Sequence, residues 1–258
     1  MTYEFDGRKY EESSAHQKEW GERLIAELSL RGDERILDLG CGDGRLTAQL
    51  AELVPEGSVL GIDACGGMIE VAQKYQKENL SFLLLDINSL DFEDEFDLVF
   101  SNATVHWVKD HNGLLRKVWR SLRNDGAVRF NFAGAGNCSH FLTIVKTAMT
   151  KPHYAKYFFD FVWPWFMPTM EEYETIVRQF PFRDIRVWTE NADRYFSDSK
   201  TMTRWIEQPS LVPFLKCIDQ SDKQSFRDFV VQRMIEETHQ DNGTCFETFR
   251  RINVYARK

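Results

Sequence analysis

Ile36-Leu37-Asp38-Leu39-Gly40-Cys41-Gly42-Asp43-Gly44 decides how this chain folds. Ile36 to Leu39 is short and apolar apart from one acid, and reads as a buried strand. Glycine then recurs at every second position, and Leu46, Leu50 and Leu53 follow at helical spacing up to Pro55. Such a glycine run bends the backbone sharply and lets it approach a ligand where any Cβ would clash. A dinucleotide fingerprint, G-x-G-x-x-G, would need glycine where Arg45 stands. The pattern is instead Asp-x-Gly-x-Gly-x-Gly, and the negative charge of Asp38 suits a cationic ligand group better than a pyrophosphate.

Before this stretch, Trp20, Leu24 and Leu28 recur at i+4 with Ile25 beside them. They predict a helix over 14–31 with Ser14 and Gln17 as a capping box and Gly32 at its end. After it, strand and helix patterns alternate: strands at 59–63, 82–85, 96–100 and 127–132, with helices at 68–77 and around Leu115, Val118, Trp119 and Leu122, the last closed by Asn124-Asp125-Gly126. Beyond Gly136 the regularity breaks. Residues 138–168 read as helical and aromatic, and a helix capped by Thr169 and Glu172 runs to about Phe180. A strand covers 185–188, and two helix patterns lie within 197–240, the second capped by Ser221 and Gln224. Residues 244–257 form the last strand. Alternation of this kind predicts an α/β fold: a Rossmann-like, seven-stranded, mostly parallel sheet with helices on both faces. One domain over 1–258 is expected, with cap insertions at about 138–168 and 197–240. These would form a helical lid near the carboxyl ends of the strands, where open α/β sheets bind ligands.

The 258 residues carry a formal charge of −8, which argues against a general basic surface for nucleic acid. The five cysteines are scattered, with no C-x-x-C, which fits reduced thiols in a cytoplasmic protein better than a disulfide framework. No apolar run reaches membrane-spanning length, and Met1 to Asp6 has no signal-peptide character. The histidines are not at metal-ligand spacing, no Lys-Ser/Thr follows the glycines, and no nucleophile elbow is present. A monomer or weak homodimer acting on a small molecule, without metal, nucleic acid or membrane, is the expectation.

The acids fall where a nucleoside needs them. Asp63 closes the second strand, and a carboxylate has lone pairs for both vicinal ribose hydroxyls. Asp86 closes the third, where it can accept from an adenine amino group while the backbone of Ile87 donates to the ring. Asp86 can equally just open a turn.

With Asp38, Gly40, Gly42, Gly44, Asp63 and Asp86 in this order, the chain resembles the class I S-adenosylmethionine-dependent methyltransferases. The resemblance implies S-adenosylmethionine as cofactor, held also by Ala64, Met68, Ile87 and Asn102. Phe100-Ser101-Asn102-Ala103-Thr104-Val105-His106-Trp107 is similar to the matching segment of trans-aconitate, malonyl-acyl-carrier-protein and juvenile hormone acid methyltransferases, all of which methylate carboxylates. Thr203-Arg204-Trp205-Ile206, Leu211 to Leu215 and Phe249-Arg250-Arg251-Ile252 are most similar to trans-aconitate methyltransferases. In one departure, His106 stands where the first two groups commonly carry glutamine.

A carboxylate acceptor is ionised near neutral pH and needs no base. Catalysis then rests on orientation and the exclusion of water. An amine or phenol would want a base, for which His106 is the candidate. The resemblance to juvenile hormone acid methyltransferases places Gln17 at the substrate; its alternative is the capping box with Ser14. Trp107 could donate its indole N–H to the acceptor or simply fill the core. Trp205 and Arg251 are the candidate substrate contacts, Arg251 as a guanidinium fork for a carboxylate or as a solvent-facing arginine on a strand. The aromatics from Tyr154 to Phe166 would line an acceptor pocket or pack a lid. Two other readings stay open: N-, O- or C-methylation with His106 as base, and a non-catalytic S-adenosylmethionine-binding protein. Amino methylation of nucleic acid is disfavoured, since no Pro-Pro-aromatic follows Asn102.

Overall fold

The computed structural model describes residues 15–258. They form two compact units: one takes residues up to 135 with Trp165–Glu190 and Arg251–Lys258, the other Gly136–Pro164 with Asn191–Arg250.

The first unit begins with α1 (Ala15–Ala26), β1 (Arg35–Leu39), α2 (Arg45–Leu53), β2 (Ser58–Asp63), α3 (Gly66–Ala72), β3 (Leu80–Leu84), β4 (Phe96–Asn102), α4 (His111–Ser121) and β5 (Leu122–Ala133). In the second unit the chain then forms α5 (Ser139–Met149). It returns to the first for α6 (Met170–Val177) and β6 (Arg183–Asn191). The second unit is completed by β7 (Arg194–Phe196), α7 (Ser199–Trp205), α8 (Val212–Leu215), α9 (Gln220–Thr238) and β8 (Cys245–Glu247), and β9 (Arg250–Arg257) closes the chain.

The main sheet has seven strands in the order β3-β2-β1-β4-β5-β9-β6. Strands β1 to β5 pair with one another in parallel, and β9 runs antiparallel to β5. Alternation within the strands divides the core into two layers. Leu37, Leu39, Val99, Phe130 and Phe132 pack with Leu115 and Val118 of α4 and Tyr173 of α6. Ile36, Val59, Leu98 and Phe100 pack with Leu24 of α1, Leu50 of α2 and Ile69 of α3. This is the predicted α/β sheet with helices on both faces. Being parallel, it gathers the carboxyl ends of β1, β2, β3 and β4 along one edge.

Several local expectations are corrected. The first helix stops at Ala26, and beyond it the Glu34 carboxylate accepts the N–H groups of Arg31 and Gly32 at 2.6 and 3.0 Å in the turn before β1. Its proposed cap, Ser14, lies outside the described residues. Asn124-Asp125-Gly126 does not end a helix; it sits inside β5 as an irregularity. The register with β4 shifts between Phe96↔Leu122 and Leu98↔Ala127, and Asp125 takes φ +65°. The 138–168 segment is α-helical only over Ser139–Met149; one 3-10 turn, Ala155–Tyr157, follows among turns and extended chain. Helix α9 begins after Asp219 without a side-chain cap, and Gln224 donates to Asp228 instead of capping. The final strand is two strands, β8 and β9. Between them Phe249 pairs through its N–H with Asp193 and through its carbonyl with Ala192, so β8 pairs with β7 and only β9 enters the main sheet. The Thr169–Glu172 capping box is present in both directions, at 3.2 and 2.8 Å.

The second unit has its own core, with Phe141, Met202, Trp205, Phe214, Phe226 and Met234 all buried. The Glu247 carboxylate, with no solvent exposure, accepts the N–H groups of Phe141 and His140 at 2.9 and 3.3 Å and lies 3.0 Å from His140 Nδ1. It thereby caps α5, whose own preceding residue, Cys138, provides no side-chain cap.

Candidate active site

The turn after β1 needs its glycines. Gly40, Gly42 and Gly44 take φ of +73°, +55° and +80°, values that cost an L side chain energy. At Gly40 space forbids it too, since a Cβ would fall inside the Thr104 side chain. Thr104 Oγ1 donates to the Gly40 carbonyl at 3.1 Å, tying the end of β4 to the turn. The N–H groups of Gly40 and Cys41 both donate to the Ile62 carbonyl, at 2.8 and 2.9 Å. Asp63 receives the Gly42 N–H on one carboxylate oxygen at 3.0 Å and the Cys65 N–H on the other at 2.9 Å. The acid that closes β2 is thus held against the glycine turn. Lys18 of α1 joins the same turn through Asp43, 3.3 Å away.

Asp38 shares the face of Ile36 and is buried under α2, where Thr47 Oγ1 donates to it at 2.7 Å. Burial pushes its carboxyl up to about 7; Thr47 opposes the shift and Asp63 adds to it.

Ala64 is half-buried and Met68 is buried on α3. Asp86 Oδ1 accepts both the backbone and side-chain N–H groups of Asn88 at 2.8 Å, capping the short turn Ile87–Ser89. Ile87 is buried in the core layer beneath.

At the end of β4, Asn102 Nδ2 donates to the Gln17 carbonyl at 2.9 Å, which brings α1 to the site. Three buried atoms here have no hydrogen-bond partner among the described residues: Gln17 Oε1, Asn102 Oδ1 and His106 Nδ1. Ala103 adopts φ +57° and donates its N–H to the Asn131 carbonyl at 2.7 Å. The 3-10 turn Val105–Trp107 follows. His106 is 8% exposed. Burial, then the neighbouring charge of Arg251, hold its imidazole well below the ordinary range, with a smaller contribution from His111. Half-buried Trp107 meets Trp165 edge-on, ring centroids 5.3 Å apart, and the Phe166 N–H donates to the His106 carbonyl at 2.8 Å.

Arg251 faces Ala133 across the β5–β9 ladder and so lies at the carboxyl end of the parallel strands. It is 3% exposed, which rules out the solvent-facing alternative. Its Nε donates to Asn131 Oδ1 at 2.8 Å, one Nη donates to the Asn131 carbonyl at 3.2 Å, and the guanidinium lies 4.5 Å from the centre of the Trp20 ring. Trp205 is placed differently. It sits in the core of the second unit among Phe141, Phe196 and Phe249, at centroid distances of 6.3, 5.2 and 5.4 Å. The aromatic run also divides: Trp165 and Phe166 belong to the first unit, and Phe161 and Trp163 pack on Phe214 in the second.

Sequence reasoning missed Thr47, Thr104, Asn131, His111 and Tyr173. His111 Nδ1 meets the Tyr173 hydroxyl at 3.0 Å in a buried pair behind the Val105–Trp107 turn. Burial pulls its pKa down to about 4. Among the described residues no group of three or more His, Cys, Asp or Glu is arranged to hold a metal, and no helix is long and apolar enough to cross a membrane.

A seven-stranded sheet in this order, with a glycine turn after β1 and acids closing β2 and β3, is the Rossmann-like fold of the class I methyltransferases. Residues 37–130 match the family described as a methyltransferase domain. The chain is 34% identical to a malonyl-[acyl-carrier protein] O-methyltransferase of Acetivibrio thermocellus over 154 residues, which covers 58% of this chain and 54% of that one. It is 41% identical to a trans-aconitate 2-methyltransferase of Deinococcus radiodurans over 105 residues, 41% of this chain and 40% of that one. The match therefore spans about half the length of these relatives or less. Among solved structures, loganic acid methyltransferase with SAH superposes with a TM-score of 0.75 at 12% identity, over 100% of this chain and 99% of that one, a likeness of fold.

Proposed function

We propose that this chain transfers a methyl group from S-adenosylmethionine to a carboxylate oxygen of a small organic acid. The observation that carries the acceptor class is Arg251, a buried guanidinium at the carboxyl end of the sheet, close enough to His106 to depress its basicity. A buried cation whose orientation is fixed favours an anionic acceptor, and both relatives above are named for acidic substrates.

The site fits the cofactor. The left-handed glycine turn is bonded through the Gly42 N–H to Asp63. Asp63 is oriented by two N–H groups, and its oxygens can accept ribose hydroxyls as well. The partnerless Asn102 Oδ1 and Gln17 Oε1 are acceptors for the ammonium of the methionine portion. Asp86, Ile87, Ala64 and Met68 would border the nucleoside. When bound, S-adenosylmethionine supplies an electrophilic methyl on a sulfonium. The protein's part is then orientation and dehydration: Arg251 and the Trp107 indole fix the acceptor carboxylate, and Trp107 with Trp165 exclude water.

His106 is poorly suited to be a base. Its depressed pKa leaves it unprotonated but weak in drawing a proton from an amine or phenol. Incubation with methyl-labelled cofactor and a panel of di- and tricarboxylic acids, fatty acids and amines tests the reading. Label on an acid, released by mild base, is the expected result. Base-stable label on an amine favours the N-methylation reading, and cofactor binding without transfer to any acceptor favours the non-catalytic one. His106→Asn should keep its rate within about fivefold, whereas loss of a general base costs ~100-fold or more.

A further inference from the structure

One face of β5 and β9 is polar although it is buried. Phe130 and Phe132 point into the apolar layer beneath α4 and α6, while Arg129 and Asn131 point the other way, each 4% exposed or less. Asn253 stands opposite Asn131 in the antiparallel register and is equally buried. Burying these three side chains costs free energy that Val or Leu would not, unless their arrangement is used.

The hydrogen bonds run in one direction. Glu27 holds Arg129 Nη2 at 2.6 Å. Arg129 Nη1 donates to Asn253 Oδ1 at 3.0 Å, and Asn131 Nδ2 donates to the same oxygen at 2.9 Å. Arg129 is always a donor, so Asn253 must turn its oxygen inward. Asn131 must then offer its amide nitrogen to Asn253, which leaves its oxygen facing Arg251 Nε at 2.8 Å. With either amide reversed, N–H would meet N–H and the contact would fail. Asn131 also holds the Arg251 Nη through its backbone carbonyl, the one that receives the Ala103 N–H at the end of β4.

We propose that Asn253 and Asn131, set by the Glu27–Arg129 pair, are positioning residues that orient Arg251 toward the acceptor. This rests on the reading of Arg251 given under Proposed function. A cavity of about 200 Å³ lined by Trp20, Glu27, Arg129, Asn131, Trp188 and Asn253 borders the chain of bonds. A truncated side chain there leaves room for water rather than an unsatisfied core.

The test follows the arginine itself. In protein labelled with 15N-arginine, the Arg251 Nε–H signal, assigned by its loss in Arg251→Lys, should exchange slowly with solvent. In Asn131→Ala it should exchange at least tenfold faster, and the His106 titration should move toward the ordinary imidazole range as the guanidinium drifts off. Asn131→Asp restores an acceptor and should restore slow exchange. Asn253→Ala leaves Asn131 in place but frees its amide to flip, so faster exchange is expected there too, and this variant serves if Asn131→Ala fails to fold. Exchange and His106 titration unchanged in folded Asn131→Ala or Asn253→Ala would overturn the proposal while the methyl-transfer reading stands. If the exchange differences appear but every panel acid stays unlabelled, it is the acceptor reading that fails.

Discussion

Asp38 and Asp63 are one pair of acids with divided tasks. Asp63 is half-exposed and held by two backbone N–H groups, so it presents a fixed carboxylate. Asp38 is buried, and its proton leaves only near pH 7. A carboxyl whose folded pKa lies above its ordinary 3.8 favours the folded state at low pH, and that contribution is lost as pH rises through about 7. A bound cation reverses the preference by drawing the proton off. Affinity for S-adenosylmethionine should therefore increase between pH 5.5 and 7.5, by up to ~10-fold per unit at the acid end, and Asp38→Asn should flatten the profile. Titrations across that range decide it; an affinity equally independent of pH in both proteins would remove Asp38 from the cofactor site. Arg251 shows what one residue's burial adds to a sequence reading. Its type and place on the last strand were legible, but burial beside His106 depends on partners more than a hundred residues away.

At the scale of elements, strands β1 to β4 and helices α2 to α4 were legible because each carries a short apolar run or a helical apolar stripe with clear punctuation. Two of the failures share a cause: a long-range partner overrides a local signal. Asn124-Asp125-Gly126 is a turn sequence, yet pairing of Leu122 with Phe96 keeps it inside β5. The final strand reads as continuous, yet the pairing of Phe249 with residues 192–193 splits it. The alternation Arg129-Phe130-Asn131-Phe132 contained an unused signal, since polar residues at every second place in a strand deep within the sheet announce a buried polar face. Glu247 is another long-range device, a carboxylate 106 residues after Phe141 in sequence that caps α5. Glu247→Ala strips three backbone N–H groups, those of His140, Phe141 and Thr248, of their acceptor and should destabilise the protein by ~2–4 kcal/mol. Glu247→Gln, which keeps one acceptor, should cost about half as much. Thermal or denaturant unfolding measures both, and a loss below ~0.5 kcal/mol for Glu247→Ala would show the cap to be idle.

Across the whole molecule, one arrangement governs function: parallel strands bring residues 38–44, 63, 86 and 102 to a common edge, and an antiparallel strand delivers Arg251 to the same edge. The order of the acids along the sequence already implied that edge, since in a parallel sheet every strand's carboxyl end points the same way. The residues proposed to meet the acceptor were less legible because they come from α1, β4, β5 and β9, which only the folded sheet assembles. Calorimetric titration of S-adenosylmethionine into wild-type and Asp63→Ala protein, each shown to be folded, tests the central claim directly. Saturable binding by wild type and a loss of ~30-fold or more in the variant are expected, the cost of losing a charged hydrogen-bond acceptor. Folded wild-type protein that gives no binding heat, or Asp63→Ala that binds as tightly as wild type, would contradict it.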